Sequence, residues 1–387
     1  MGDEDWRTLN RANWDERVAI HRAIAGPGPT GRGCRSVCRC RPPGWFDTPA
    51  PCPDRPAERT GSGTMRAMVA GERGLELRDI PAPQPGPGQV LVRVRAAGLN
   101  RAELAMAAGH AHGALGGKGA TIGLEWAGEV AAIGEGVPHL HEGDRVMCSG
   151  NGGYAEYALT DWGRVSPLPS NNMGWEQAAT LPIALQTMHD ALVTNGQMQR
   201  GQSVLIQGAS SGVGLMGLQI AREMGAALVI GSSTNADRRA KLAEYGAGLA
   251  VDSSDPAWPD QVLAATQGNG VDLIVDQISA PVANANLRAT RVLGRIVNVG
   301  RLGGATGAFD FDLHAMRRIS YVGVTFRTRS VAEVREINRR MREDLWDAIE
   351  AGRLRLPIDR VFPLEQAAEA QAHMNANAHF GKIVLTV

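Results

Sequence analysis

Ser203-Val204-Leu205-Ile206-Gln207-Gly208-Ala209-Ser210-Ser211-Gly212-Val213-Gly214-Leu215-Met216-Gly217 carries an apolar run into a glycine-dense turn and on into an apolar segment that ends near Met224. Strand, turn and helix in that order make a site for a dinucleotide pyrophosphate. Gly212 is expected to permit the tight turn, Gly214 to leave room for the phosphates, and Gly217 to let the helix pack on the strand. The helix N-terminus adds unpaired N–H groups and the positive end of a dipole, both of which favour an anion. Glycine fills 48 of 387 positions, so the motif counts only through its setting.

That setting alternates. Strands are predicted over 227–231, 249–252, 271–277 and 295–300, and helices over 236–245, 260–266 and 282–292. The fold class is therefore α/β with a doubly wound parallel sheet. An NAD-binding fold places an acidic residue about 20 positions after the fingerprint, against the ribose 2′-hydroxyl. Gly231-Ser232-Ser233-Thr234 stands there instead, followed by Arg238 and Arg239, with no carboxylate in that stretch. Hydroxyls and guanidinium groups suit a 2′-phosphate, so NADPH is the expected cofactor. The solvated face of a helix also accounts for the two arginines.

The chain is 43% hydrophobic and has a formal net charge of zero. Its length is expected to bury two cores. Neutrality offers no electrostatic footprint for nucleic acid or an anionic membrane. No apolar run approaches the ~18 residues that span a bilayer, and the N-terminus lacks the apolar core of a signal peptide, so a cytoplasmic location is expected. Residues 1–64 read as an extension without a core. They are crowded with Pro, Gly and Arg over 26–64 and hold Cys34, Cys38, Cys40 and Cys52, four of the five cysteines. Four thiolates can hold zinc, but this spacing lacks the paired C-x2-4-C knuckles of structural sites.

From Met65 the pattern becomes alternating, with Val90, Val92 and Val94 on one face and short strands predicted over 126–133, 144–147 and 153–159. These imply a partly antiparallel β domain. Beyond the α/β half, strands are predicted over 319–325 and 382–387 and helices over 331–351 and 364–374. A closing strand after so large an insertion predicts a β domain of residues 65–185 plus 325–387, interrupted by a cofactor domain of residues 186–324. Clefts between such domains are common ligand sites.

Five stretches carry a family resemblance: Ala97-Gly98-Leu99-Asn100-Arg101-Ala102-Glu103-Leu104, Ile122-Gly123-Leu124-Glu125-Trp126-Ala127-Gly128-Glu129-Val130, Gly152-Gly153-Tyr154-Ala155-Glu156-Tyr157, the glycine turn, and Gly381-Lys382-Ile383-Val384-Leu385. In this order they resemble the medium-chain dehydrogenase/reductase superfamily, and most of all its zinc-independent branch of NADPH-dependent quinone oxidoreductases. The resemblance runs from Met65 to Val387. It implies a Rossmann sheet inserted in a GroES-like, mainly β catalytic domain. It also implies that Asn100 lies at the nicotinamide and substrate and that Thr187 contacts the nicotinamide side. Gly300 and Arg301 would flank the cofactor, the backbone around Phe326 would anchor its carboxamide, and Lys382 would reach it. The cofactor set read from the residues themselves is Gly208, Ala209, Ser210, Ser211, Gly212, Val213 and Gly214, with Ser232, Ser233 and Arg238 at the 2′-phosphate. Asn100 also suits a turn that ties up its own backbone, and Lys382 suits a surface position at the start of a strand.

In the zinc-dependent branch a cysteine of the first motif and a histidine of the second hold the metal. Asn100 and Leu124 stand at those places, and Cys148 is the sole cysteine after Met65. Neither side chain replaces a thiolate or an imidazole, so no metal is expected. His110 with His112, and His139 with His141, lack a third partner at ligand spacing. Without a Lewis acid to stabilise an alkoxide, the feasible chemistry is hydride delivery to a conjugated acceptor: a quinone, or the β-carbon of an enone, enal or enoyl thioester. Relatives often carry tyrosines after the first motif, whereas residues 105–112 hold none, leaving His110 or water as proton donor. A non-catalytic crystallin-like or RNA-binding role is the reading from another class, and neutral charge argues against its nucleic-acid form. The apolar strand near 319–325 is expected to pair two subunits into a homodimer.

Overall fold

The computed structural model describes residues 63–72, 74–113 and 115–387, and all of them fall in one compact unit. Cys34, Cys38, Cys40, Cys52 and the extension that holds them lie outside the described residues, except that Thr64 already belongs to the first strand, Thr64–Gly71.

The α/β half contains six strands: β1 (Ser203–Gln207), β2 (Leu228–Ser232), β3 (Leu249–Val251), β4 (Val271–Asp276), β5 (Thr290–Asn298) and β6 (Ser320–Gly323). They form one parallel sheet in the order β3-β2-β1-β4-β5-β6. The order reverses between β1 and β4, and a doubly wound sheet binds its dinucleotide in the crevice at that switch point. Both faces are covered, which is why these strands read as unbroken apolar runs. Val204, Ile206 and Val275 face a core with Leu185, Met188 and Leu215. Leu205, Ile230 and Ile274 face another with Trp258, Val262 and Leu287.

The mainly β half is a seven-stranded sheet built on Gln89–Gly98, Glu125–Ile133, Arg145–Ser149, Tyr157–Asp161, Val165–Pro167, Ile358–Pro363 and Lys382–Thr386. Lys382–Thr386 runs antiparallel to Gln89–Gly98 and parallel to Ile358–Pro363, so the last strand lies inside the sheet. One core serves both halves, since Ala96, Ala127 and Met147 pack in the same cluster as Val204 and Ile206. Among the described residues, no helix is long and apolar enough to cross a membrane.

Several expected boundaries move. The helix predicted to Val292 is a 3-10 turn, Ala280–Val282, and a helix, Ala283–Ala289, and β5 starts at Thr290. Val292 and Leu293 are 45% and 67% exposed, and Leu293 has φ of 63°, so their apolarity signals a kinked strand start and no buried helix face. The helix predicted over 236–245 breaks into Ala236–Ala240 and a 3-10 turn, Leu242–Tyr245. The strand predicted over 153–159 starts later, at Tyr157, because Gly152 at φ of 89° still belongs to a turn.

Helix Val331–Glu350 is locked at its start by a capping box. The Ser330 hydroxyl accepts from the Glu333 N–H at 3.2 Å, and the Glu333 carboxylate accepts from the Ser330 N–H at 2.8 Å. One turn on, Arg335 forks onto Asp161 at 2.9 and 2.7 Å and lies 4.6 Å over the Trp162 ring, which seats the helix on the β sheet. Replacing Ser330 with Ala is expected to lower unfolding free energy by about 1 kcal/mol, read by denaturant titration.

Candidate cofactor and active site

β1 delivers the chain to Gly208, whose φ of 71° makes the turn. The left-handed position is thus at Gly208 and not at Gly212, which already opens helix Gly212–Glu223. A Cβ on Gly214 would lie 2.5 Å from the Gly208 carbonyl oxygen, so this glycine lets the helix start against its own turn. A Cβ on Gly212 would lie 2.8 Å from Cδ of Lys382, and one on Gly217 3.0 Å from Sδ of Met188 and 3.4 Å from Cδ1 of Ile206. Two of the three fingerprint glycines therefore serve contacts that the motif alone did not show, and Gly217 does pack helix on strand. Ser211 caps the helix, its hydroxyl accepting from the Gly214 N–H at 3.0 Å with the Gly208 carbonyl or Gln277 as its own acceptor. The N–H groups of Gly212 and Val213 have no acceptor within the helix, an arrangement that suits an anion.

At the end of β2 the two serines differ. Ser232 is fully buried, donating to Gln207 and accepting from the Gly208 N–H at 3.0 Å, so this hydroxyl braces the turn and is not presented to a phosphate as expected. Ser233 pairs with the hydroxyl of Ser210 at 3.1 Å, at the mouth of the turn. Arg238 donates to the backbone oxygen of Asn377, while Arg101 reaches the Asn377 side chain at 3.1 Å. Arg239 bonds the Ser233 carbonyl at 2.8 Å and pairs with Asp252 at 3.1 Å, so a carboxylate absent from the end of β2 stands beyond β3 with an arginine on it.

The first, second, third and last motifs meet in one buried network. Nζ of Lys382 donates to the Leu99 carbonyl at 2.7 Å, to Oδ1 of Asn100 at 3.1 Å and to the Glu125 carboxylate. Glu125 also accepts from Nδ2 of Asn100 at 3.0 Å and from the Ile183 N–H at 2.8 Å. Lys382 is 4% exposed and its three N–H groups meet three protein acceptors, which corrects the expectation that it reaches the cofactor. Beneath it, Glu103 accepts from the N–H groups of Asn100 and Leu124, both at 2.7 Å, and from the Tyr154 hydroxyl. Burial pushes the Glu103 carboxyl up to about 7 against the pull of these donors and of Lys382. Burial, then the Glu103 charge, holds the Tyr154 phenol well above its ordinary range.

Thr187 is half-buried on helix Pro182–His189, which packs on helix Gly212–Glu223 through Met188 and Gly217. The Gly300 carbonyl, just after β5, accepts from Ser279 at 2.7 Å, and Arg301 folds back on the Val299 carbonyl at 3.3 Å. Phe326 is half-buried in the segment after β6. His110 is exposed beyond helix Ala102–Ala107, outside the buried network. Glu103, Glu125 and Gln207 are the participants that sequence reasoning passed over. An acidic residue between apolar Leu124 and Trp126 was the available sign that a buried cation awaited it.

The family described as a zinc-binding dehydrogenase matches residues 212–343, and the alcohol dehydrogenase GroES-like domain matches residues 86–170. The chain is 30% identical over 336 residues to a quinone oxidoreductase of Rattus norvegicus, covering 84% of this chain and 99% of that protein. It is likewise 30% identical over 351 residues to a mycocerosic acid synthase-like polyketide synthase of Mycolicibacterium smegmatis, covering 87% of this chain but spanning 16% of that longer protein. A mycobacterial protein solved in complex with NADPH aligns with a TM-score of 0.73 at 26% identity, covering 84% of this chain and 100% of the other.

The Glu103 geometry has a measurable signature. Native Glu103 holds its proton up to about pH 7, against 4.5 for an ordinary glutamate, so its contribution to stability is complete below about pH 4.5 and is lost as pH rises through about 7. Glu103→Gln is expected to flatten that stretch of the stability–pH curve. It should also cost roughly 1–3 kcal/mol, because the amide leaves a buried N–H facing a donor. An unchanged slope between pH 4.5 and 7 would place the titration elsewhere.

Proposed function

Because the chain belongs to the medium-chain dehydrogenase/reductase superfamily, in its quinone oxidoreductase-like part, we propose that this oxidoreductase is a zinc-independent, NADPH-dependent reductase of quinones. The observation that carries the reading is the donor set at Asn100 and Leu124. The Asn100 amide is hydrogen-bonded on both its oxygen and its nitrogen, Leu124 offers an alkyl chain, and the neighbouring Glu125 already carries an ammonium. That set does not fit a zinc ion, which takes thiolate, imidazole or free carboxylate. Residues 65–185 with 325–387 form the catalytic part in this reading, and residues 186–324 the cofactor part.

The nicotinamide of the cofactor supplies the hydride, and a quinone takes up the arriving charge in its own π-system. The chain binds and orients. The turn from Gly208 to Gly214 offers N–H groups to the pyrophosphate, with Ser210, Ser233 and Arg238 on the side of the 2′-phosphate. Arg238 has N–H groups beyond the one that bonds Asn377. Thr187, Gly300, Arg301 and the backbone at Phe326 border the nicotinamide. Nδ2 of Asn100 donates to Glu125 at 3.0 Å and only at 3.5 Å to the Gly98 carbonyl, and this long second bond is the one it would exchange for the oxyanion that develops on the substrate. His110, exposed to solvent, or water itself returns the proton. The match to a segment of a polyketide synthase favours a second reading, reduction of the activated C=C bond of an enone, enal or enoyl thioester. β6 is an outer strand of its sheet and is the edge through which two copies would pair; the protein would work as a dimer in the cytoplasm.

NADPH is expected to bind roughly ten- to hundredfold more tightly than NADH, the worth of one charge-assisted phosphate contact. Arg238→Ala should remove most of that margin, whereas equal dissociation constants in the wild type would end the NADPH assignment. NADPH oxidation by quinones should be indifferent to chelator. Stoichiometric zinc with chelator-sensitive oxidation of simple alcohols would overturn the proposal. Asn100→Ala should lower kcat more than it weakens NADPH binding, as fits a group at the reacting end.

A further inference from the structure

We infer that Lys382 is a positioning residue: with Glu125 it sets the Asn100 amide, and its stem ties that setting to the glycine turn. The inference rests on the reading that Asn100 acts at the reacting end of the cofactor. An asparagine amide has two orientations of nearly equal shape, and its neighbours decide between them. Here Oδ1 faces the Lys382 ammonium at 3.1 Å and Nδ2 faces the Glu125 carboxylate at 3.0 Å. Flipping the amide would set oxygen against carboxylate and N–H against ammonium, so the ion pair admits one orientation. In that orientation the second Nδ2 proton meets the Gly98 carbonyl alone, at 3.5 Å, a bond long enough to be exchanged for a substrate oxygen.

The second half of the argument lies in the side-chain stem. Cδ and Cγ of Lys382 would lie 2.8 and 3.2 Å from a Cβ on Gly212, so the methylenes cover the first residue of the phosphate-facing helix. The preceding residue, Gly381, forms a parallel bridge with Ser211, the cap of that helix. Turn and ammonium are thus held to each other through backbone and stem together. A shift of the turn is a shift of the group that orients Asn100.

The test uses the full chain. Lys382→Met alone strands a buried carboxylate, so the informative variant is Lys382→Met with Glu125→Gln, which removes both charges and keeps an acceptor for the Ile183 N–H. Its melting temperature and its NADPH dissociation constant, by fluorescence titration, report folding and cofactor binding. Near-wild-type NADPH affinity is expected, with kcat for quinone reduction roughly ten- to hundredfold lower and little change in KM. Lys382→Arg keeps a charge on Glu125 but cannot direct three donors tetrahedrally, and should fall in the same direction. A double variant with wild-type kcat would reduce Lys382 to a structural role. A tenfold loss of NADPH affinity with kcat intact would make it a cofactor ligand, and either result overturns the inference. If the wild type reduces neither quinone nor enone, the proposed function fails by itself, and exchange of the Asn100 side-chain amide by NMR decides the inference. Slow exchange in the wild type and fast exchange in the double variant uphold it, and equal exchange overturns it.

Discussion

The buried pair of Lys382 and Glu125 is the interaction on which this molecule turns. Two charges taken out of water are held only because each is hydrogen-bonded on every side: the ammonium by two carboxamide-type oxygens and the carboxylate, the carboxylate by an amide and a backbone N–H as well. Breaking such a pair by removing one partner costs about 3–5 kcal/mol, since the survivor cannot be rehydrated. The pair also joins parts of the chain that are far apart. Leu99 and Asn100 follow the end of one strand, Glu125 begins another, Ile183 lies in the first turn of a helix, and Lys382 opens the last strand. Geometry at the site and closure of the sheet are therefore one event.

Much of the fold was legible because its signals are local. Each strand of the parallel sheet is a short apolar run, and burial on both faces follows from that pattern. The errors cluster where an apolar residue is not buried or a polar one is. Val292 extended an expected helix because periodicity cannot report exposure. The glycine turn was found for a correct general reason, yet the roles of individual glycines depended on what lay opposite them. Gly212 faces Lys382, a residue 170 positions away, and no local reading reaches that far.

The candidate site was legible as a set of positions and illegible as a set of directions. Asn100 and Lys382 were both picked out, but a lysine at the first residue of a strand gives no sign of pointing inward. Its destination depends on Glu125, whose charge inside an apolar motif was the clue. Ser232 and Ser233 are chemically identical neighbours on a strand, and the period of two sends one under the turn and the other toward the opening. Arg238 and Arg239 part in the same way, one reaching across to Asn377 and the other folding back to Asp252.

The strand Lys382–Thr386 lies inside the β sheet, hydrogen-bonded to Gln89–Gly98 on one side and to Ile358–Pro363 on the other. During synthesis the Gln89–Gly98 strand waits until Lys382, 283 positions beyond Leu99, is made, and the whole parallel sheet can assemble in the interval. Contacts this distant in sequence form slowly, because loop-closure entropy is lost before they return any stabilisation. Until then the β half exposes an unpaired strand edge beside an unneutralised Glu125, a surface suited to chaperone binding and prone to aggregation. The same late strand that completes the site is thus the step at which a nascent chain becomes either a folded oxidoreductase or a sticky half-molecule.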